Sequence, residues 1–181
     1  ADKGALVTLI AGPGVQYPHN SNITTIGVES AADMYNATMA IANTTDIMVL
    51  AAAVADYRPD EVAVNKIKKG DGGLVLHLTK TNDILANLGK IKTTQQTLVG
   101  FALETDNEMV HAGKKLSEKN ADMIVLNSLR DAGAGFGHDT NKVTLLRKTL
   151  PPVELPLLSK KEVAEAITEQ IIAMRDAQKT A

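Results

Sequence analysis

Residues 46–59 read Asp-Ile-Met-Val-Leu-Ala-Ala-Ala-Val-Ala-Asp-Tyr-Arg-Pro, and this stretch decides the fold. The nearly continuous apolar run over 46–52 predicts a strand covered by helices on both faces of a sheet. Small alanines follow it and let a ligand approach the backbone. The acid Asp56 comes next, and then a basic arm that contains Lys66, Lys68 and Lys69. This order is typical of a nucleotide site at the carboxyl end of a parallel strand.

Strands and helices alternate on both sides of this stretch. Hydrophobic periodicity predicts strands over 5–10, 23–28, 97–102, 121–127 and 143–147, and helices over 31–42, 83–91, 107–119 and after Ser159. Capping-box spacing supports two of the helix starts, Ser30 with Asp33 and Ser159 with Glu162. The order predicts an α/β fold, a Rossmann-like three-layer sandwich with a mostly parallel sheet and helices on both faces. Residues of about 56–80 are predicted to form a hairpin or flap, with 63–69 paired to 74–80.

Composition limits the possible functions. The 181 residues are 44% hydrophobic, which predicts a single domain over 1–181 with a core of its own. A net charge of −2 argues against a general nucleic-acid or membrane binder. The absence of Cys excludes disulfides, thiolate nucleophiles and Cys-ligated metals. No signal peptide and no apolar run of about 20 residues is visible, so a cytoplasmic location is expected.

Several residues are candidates for a ligand site, each with a structural alternative. Ligands of parallel sheets bind beyond the carboxyl ends of the strands, so residues after Leu50, around Phe101 and after Leu126 are expected at one crevice. Asp56 suits a ribose hydroxyl or a metal-bound phosphate, or is a turn residue. Phe101 suits the wall of a base pocket, or is a core residue.

The lysines also allow two interpretations. Lys66, Lys68 and Lys69 suit phosphate binding, whereas a charge run is more often a solvated face. Lys115 and Lys119 are four residues apart on a predicted helix and therefore share one face, either towards a triphosphate or towards solvent.

Glycines and histidines give weaker signals. Gly12 and Gly14 follow a predicted strand, but the third glycine of a dinucleotide fingerprint is absent, which favours a plain turn. Glycines 133, 135 and 137 suit either a loop over a ligand or a flexible connection. The four histidines show no metal-ligand spacing, and no chemistry is assigned to them: His19, His77, His111 and His138.

In combination, the motifs of this chain resemble one family over nearly its whole length. They are Val7-Thr8-Leu9-Ile10 with Gly12-Pro13, the stretch 51–59, Lys66-Ile67-Lys68-Lys69, Asp83-Ile84-Leu85, 99–105, Lys115 with Lys119, and Gly135-Phe136 with Asp139 and Asn141. The family is the phosphopantothenoylcysteine synthetase domain, also called phosphopantothenate–cysteine ligase. In bacteria that domain is usually the C-terminal half of a bifunctional coenzyme A biosynthesis protein.

The resemblance implies a reaction. CTP activates the carboxylate of 4′-phosphopantothenate as an acyl-cytidylate, with Mg²⁺ accompanying the triphosphate, and pyrophosphate leaves. The amine of L-cysteine then attacks to give phosphopantothenoylcysteine and CMP. The resemblance also implies a homodimer, and a flavin-dependent decarboxylase as a possible fused or associated partner.

The resemblance further implies roles for individual residues. Lys66 would stabilise charge in cytidylate formation and is the implied catalytic residue. The implied CTP-binding residues are Leu50, Ala51, Ala52, Asp56, Lys66, Asn82, Asp83, Ile84, Leu85, Phe101, Lys115 and Lys119. The resemblance leaves the metal ligands unknown.

Two departures from the family pattern matter. Thr81-Asn82 stands where the family usually has Asn-Pro, so the loop loses the fixed φ of proline. The family's opening strand, its Gly-rich loop and an asparagine used in the second half-reaction have no counterpart here. We therefore expect the chain to be a trimmed portion of a longer polypeptide, with two strands left without a shared neighbour.

Two rival hypotheses remain. A nucleotide-binding protein or inactive remnant would keep the crevice without catalysis. A nicotinamide or flavin reductase would need a complete glycine fingerprint and an acidic ribose partner about 20 residues later, and neither is found.

Overall fold

Two compact units make up the chain in a computed structural model. The structure describes residues 1–63, 65–68, 73–128 and 139–179. Unit 1 comprises Ala1–Ile41 and Ala52–Ile84, and unit 2 comprises Ala42–Ala51 and Leu85–Ala181. The single domain predicted over 1–181 stays a prediction.

Unit 1 begins with a parallel strand pair and a helix. Strands β1 (Val7–Ala11) and β2 (Ile23–Gly27) pair in register, and helix α1 covers Ala31–Ile41. The predicted capping box at the start of α1 is confirmed. The Ser30 hydroxyl donates to Asp33 Oδ2 (2.7 Å) and accepts the Asp33 backbone N–H (3.1 Å). The Ser30 hydroxyl and the Ser30 backbone N–H, which also donates to Oδ2 (3.0 Å), lower the pKa of Asp33.

The excursion predicted over about 56–80 forms a different pairing from the one expected. Strand β4 (Tyr57–Pro59) pairs antiparallel with β5 (Leu78–Lys80). The predicted pairing of 63–69 with 74–80 is wrong for the described residues of those ranges, which contain no strand before Leu78. A lone hairpin is marginal unless it buries an apolar face. Here Leu74 is 66% and Val75 is 77% exposed, so nothing stabilises the longer pairing.

Unit 2 contains a five-stranded sheet in the order β10-β9-β7-β6-β3. Its strands are β3 (Ile47–Leu50), β6 (Thr97–Glu104), β7 (Met123–Ser128), β9 (Val143–Arg147) and β10 (Val153–Glu154). β3, β6 and β7 are parallel, as predicted, whereas β9 pairs antiparallel with β7 and the edge strand β10 pairs antiparallel with β9. Further elements are a 3₁₀ turn (Ala42–Thr44), α2 (Ile84–Ile91), α3 (Glu108–Glu118), β8 (Thr140–Asn141), β11 (Leu158–Ser159) and α4 (Lys160–Lys179).

Helices cover both faces of this sheet, which confirms the predicted Rossmann-like sandwich. On one face, Val163, Ile167 and Ile171 of α4 pack on buried side chains that include Val99 and Val125. On the other face, Leu85 of α2 packs on Gly100, where a Cβ would lie only 2.7 Å from Leu85 Cδ2. Each contact buries apolar surface against alternate residues of the same strands.

Strand β3 forms one edge of the sheet. Its pairing with β6 runs from Ile47 to Leu50, and no strand of the described residues pairs with its other side. Ile47 and Val49 are 37% and 48% exposed. Among the helices of the described residues, none has the length and apolar character needed to cross a bilayer.

The amino ends of β6 and β7 are joined by a polar cluster, which consists of Lys92, Leu98, Asp122 and Lys148. Lys92 Nζ donates to both carboxylate oxygens of Asp122, each at 2.9 Å. The Leu98 backbone N–H donates to Asp122 Oδ2 (2.7 Å), and Lys148 Nζ lies 3.6 Å from Oδ1. The Asp122 carboxylate therefore links Lys92, the residue after α2, to the starts of β6 and β7.

The capping box of α4 predicts a pH-dependent contribution to stability. The Ser159 hydroxyl (2.6 Å) and N–H (2.8 Å) donate to Glu162 Oε2 and lower the pKa of Glu162 below its ordinary value of 4.5. The contribution is therefore complete above that value and is lost as the pH falls through the lowered pKa. We expect Glu162→Gln to lower Tm slightly at pH 7 and by a smaller amount at pH 3, as measured by circular dichroism. Glu165→Gln, one turn later, is the control; an equal loss at both pH values for Glu162→Gln would contradict the prediction.

Candidate functional site

The carboxyl ends of three parallel strands lie at one edge of the sheet in unit 2. Leu50 of β3 pairs with Gly100, and Ala102 of β6 pairs with Leu126 of β7. β3 ends at Leu50, whereas β6 continues to Glu104. Beyond Leu50, the last residues of β6 have no neighbour in β3, and we call this place at the edge of the sheet the step. The chain leaves the step through Ala51. Such edges are where parallel sheets bind ligands.

Lys115 places its ammonium group at this step. Its Nζ donates to the carbonyl oxygen of Phe101 (3.1 Å), one residue beyond the last β6 residue that pairs with β3. Lys115 lies in the last turn of α3, where a cation also interacts favourably with the helix dipole. The structure thus brings together Leu50, Phe101 and Lys115 within unit 2, three of the residues predicted from the sequence.

The side chain of Phe101 faces the core. It is partly buried and packs against the cluster formed by α4, β7 and β9. Its backbone carbonyl, in contrast, accepts the hydrogen bond from Lys115 Nζ. The structure therefore gives Phe101 the core position that the sequence left as the alternative, and its contact with a nucleotide base stays a prediction.

Lys119 is the C-cap residue of α3. Its N–H donates to the carbonyl of Lys115 (3.0 Å), so α3 continues to this point. Its own carbonyl lies against Gly89 of α2, where a Cβ would overlap it. The side-chain amide of Asn120 (φ 48°) donates a hydrogen bond to the Gly89 carbonyl (2.8 Å). The end of α3 is thus fixed against α2, which begins at the predicted base-pocket residues.

Within unit 1, Thr81 connects two segments of predicted site residues. Its hydroxyl donates to the carbonyl of Ala55 (2.6 Å), and its N–H donates to the carbonyl of Asp56 (2.9 Å). Asp56 and Asn82 are consequently neighbours. The sequence noted Thr81 only as a departure from the family pattern, and its two contacts show how the loop is held without the proline.

The remaining predicted residues differ in exposure. Ile84 and Leu85 are buried at the start of α2, while Asn82 and Asp83 before them are exposed. Ala52 is exposed, and Lys66 and Lys68 are exposed on the arm between β4 and β5. Lys69 and the glycine-rich stretch 129–138 lie outside the described residues. A phosphate contact by Lys66 stays a prediction.

The Gly12-Pro13-Gly14 turn lines a cleft of about 480 Å³ in unit 1. Gly14 has a φ of +80°, which glycine adopts without strain and which supports the turn interpretation. A Cβ at Gly27 would lie 2.6 Å from the Tyr17 hydroxyl oxygen, so a larger residue there would displace the exposed Tyr17 side chain. The lining residues are Gly12, Pro13, Gly14, Val15, Tyr17, Gly27, Val28 and Glu29.

The described residues contain no cluster suited to hold a metal by protein ligands alone. No three His, Asp or Glu side chains of that part of the chain are grouped in this way. Mg²⁺ in phosphate chemistry is usually held by one or two carboxylates together with the substrate phosphates, so such a cluster is not required.

A contact between the side chains of Glu104 and His111 was missed in the sequence. His111 Nδ1 lies 3.5 Å from Glu104 Oε2, at the carboxyl end of β6 and the first turns of α3. The spacing of four residues places His111 on the same face of α3 as Lys115 and Lys119, which could have singled out His111 but not its contact with Glu104.

The chain is similar to proteins of coenzyme A biosynthesis. One relative, named cysteine/cysteine sulfinic acid decarboxylase, comes from an unknown prokaryotic organism and is 48% identical to the chain over 174 residues. The match covers 96% of this chain and 48% of that protein. The chain is 45% identical over 171 residues to the coenzyme A biosynthesis bifunctional protein CoaBC of Bacillus subtilis (strain 168), covering 94% and 42%. The chain therefore spans about half the length of these relatives.

A solved structure gives the same result for the fold. The crystal structure of the C-terminal domain of CoaBC matches with a TM-score of 0.79 and 43% identity, over 97% of this chain and 78% of that one. Residues 1–174 match the family described as DNA/pantothenate metabolism flavoprotein C-terminal domain. The chain belongs to this family.

Proposed function

We propose that the protein is a ligase that joins 4′-phosphopantothenate to L-cysteine and uses CTP. In the first half-reaction, a carboxylate oxygen of phosphopantothenate attacks the α-phosphorus of CTP, and pyrophosphate leaves. In the second, the cysteine nitrogen attacks the acyl carbon, and CMP leaves. Similarity to CoaBC supports the pathway and the substrates.

One observation in the structure supports this proposal most directly: the ammonium of Lys115 lies 3.1 Å from the Phe101 carbonyl at the step beside Leu50. A carboxylate that attacks a triphosphate brings negative charges together, so fixed positive charge is the main requirement. A lysine already held by a backbone carbonyl needs little reorganisation to meet that charge.

The proposed roles extend the predictions made from the sequence. In unit 2, nucleotide contacts are proposed for Leu50, Ala51, Leu85, Phe101, Lys115 and Lys119. In unit 1, they are proposed for Ala52, Asp56, Lys66, Asn82, Asp83 and Ile84. Lys66 is proposed to stabilise charge in cytidylate formation. Mg²⁺ is proposed to enter with the triphosphate and to neutralise phosphate charge, and no residue is assigned to it.

Partners follow from the same proposal. The product keeps the carboxylate of cysteine, which a decarboxylase can remove, and a decarboxylase name is found among the relatives. We therefore retain a fused or associated decarboxylase as a proposal. The homodimer and the cytoplasmic location stay predictions.

The test separates ligation from binding alone. Purified protein with Mg²⁺, CTP and phosphopantothenate should release one equivalent of pyrophosphate per site, and cysteine should then start turnover to CMP and phosphopantothenoylcysteine. ATP in place of CTP is the matched control and should support much slower release. Calorimetric binding of CTP without any pyrophosphate release would select the binding-protein hypothesis instead.

A further inference from the structure

One face of α3 carries a histidine in line with two lysines. His111, Lys115 and Lys119 are four residues apart, so each lies about 6 Å along the helix axis from the next. Lys115 contacts Phe101, and His111 contacts Glu104, three residues further along β6. The stripe therefore runs beside β6 towards its carboxyl end, with the histidine nearest to that end.

The pair at the end of this stripe is open to a ligand. The side chain of His111 is 49% exposed, whereas that of Glu104 is 26% exposed. The carboxylate contacts Nδ1, which leaves Nε2 as the ring nitrogen directed away from it. A carboxylate that orients one imidazole nitrogen while the other faces a substrate is the usual arrangement of a histidine base.

The proposed reaction needs such a base. The α-amino group of free cysteine is largely protonated at neutral pH, and an ammonium nitrogen has no lone pair for attack. Histidine is the side chain best suited to accept a proton near neutral pH. If Lys115 and Lys119 hold the triphosphate, His111 lies one helical turn beyond them, on the side of the carboxyl ends.

We propose that His111 is the general base for the cysteine amine in the second half-reaction and that Glu104 is its positioning residue. This inference rests on the proposed ligase function. His111 Nε2 takes one proton from the cysteine ammonium. The freed lone pair forms the C–N bond to the acyl carbon, and the bond from that carbon to the phosphate oxygen breaks. CMP leaves with the electron pair, and the second proton on nitrogen goes to solvent.

Other charged residues lie near His111 in the chain and in the sheet. On α3, they are Glu108, Lys114 and Lys115. On β6 and in the loop after it, they are Glu104 and Asp106. Beside the near end of β9, the charged residue is Lys142, whereas Asp122 and Arg147 lie at the opposite edge of the sheet and are bonded to Lys92 and Gln170. The Glu104 carboxylate lies 3.5 Å from the ring Nδ1, so Glu104 is the proposed orienting partner.

The test measures the two half-reactions separately. His111→Gln should leave single-turnover pyrophosphate release unchanged in the absence of cysteine, and should slow transfer to cysteine on the order of 10²-fold at pH 7. The deficit should shrink as pH rises, because free cysteine is then increasingly an uncharged amine. His19→Gln, at an exposed site in unit 1, is the matched control and should change neither step. Equal slowing of both steps, or of neither, would overturn the proposal.

A second measurement excludes a merely structural effect. Hydroxylamine is uncharged at neutral pH and needs no base before it attacks, so it should react with the acyl-cytidylate equally fast in the wild type and in His111→Gln. Glu104→Gln should lower the rate with cysteine several-fold and leave the rate with hydroxylamine unchanged. Slow hydroxylamine transfer in His111→Gln would contradict a base role. Absence of pyrophosphate release in the wild type would instead refute the ligase function itself.

Discussion

Replacement of Lys66 by alanine should lower the rate of acyl-cytidylate formation on the order of 10²- to 10³-fold, the usual cost of removing one group that stabilises transition-state charge. The attacking carboxylate and the α-phosphate are both negative, and pyrophosphate gains charge as it leaves. Lys66 is exposed on the arm between β4 and β5, and the described residues of this arm form neither strand nor helix. We therefore expect its ammonium to act mainly in the transition state, so that kcat falls more than the affinity for CTP.

The measurement is single-turnover pyrophosphate release with saturating CTP and phosphopantothenate. Lys68→Ala is the control, because it removes the same charge two residues away on the same exposed arm. A loss confined to Lys66→Ala supports a specific catalytic position. Equal small losses for both variants would mean that the arm contributes only general positive charge, and an unchanged rate for Lys66→Ala would remove its assigned role.

The parts of the fold that the sequence predicts are those with local causes. The apolar runs over 97–102 and 121–127 form strands that are buried on both faces, so they contain little polar alternation and are recognised without tertiary information. The run over 46–52 forms only the edge strand Ile47–Leu50, in which Ile47 and Val49 are exposed, so the predicted cover on both faces is wrong there. Capping boxes at Ser30 and Ser159 also act within four residues, and both are present in the structure.

The parts that the sequence missed depend on distant contacts. The nearly continuous apolar residues over Leu74–Leu78 suggested a longer strand, but most of them are exposed, and only Leu78–Lys80 pairs with β4. Likewise, the bonds of Thr81 to Ala55 and of Lys115 to Phe101 join residues 26 and 14 positions apart. Residue types and spacing cannot show such pairs until the fold has placed them together.

The largest loss of stability is expected when the hydrogen-bond network around Asp122 is broken. Asp122→Ala should lower the free energy of unfolding by about 3–5 kcal/mol, because it leaves the ammonium of Lys92 buried without a partner. The two side chains are only 7% and 11% exposed, so solvent screens the lost interaction weakly. The Leu98 N–H also loses its acceptor at 2.7 Å, which adds to the cost.

Urea unfolding monitored by circular dichroism gives this value, with Glu165→Ala as the control. Glu165 pairs with Lys161 at 4.0 Å, with side chains 56% and 85% exposed, and the loss there should stay below about 1 kcal/mol. The double variant Lys92→Met, Asp122→Ala should recover part of the loss, because no unpaired charge then remains buried. A loss below about 1 kcal/mol for Asp122→Ala would show that water reaches Lys92.

The same variant separates folding from function. Asp122 lies at the amino ends of β6 and β7, whereas Phe101 and Glu104 lie towards the carboxyl end of β6. Below its unfolding transition, Asp122→Ala should therefore keep the wild-type KM for CTP while its stability is reduced. A rise in KM at a temperature where the variant is fully folded would mean that the amino-end network also sets the geometry of the opposite edge.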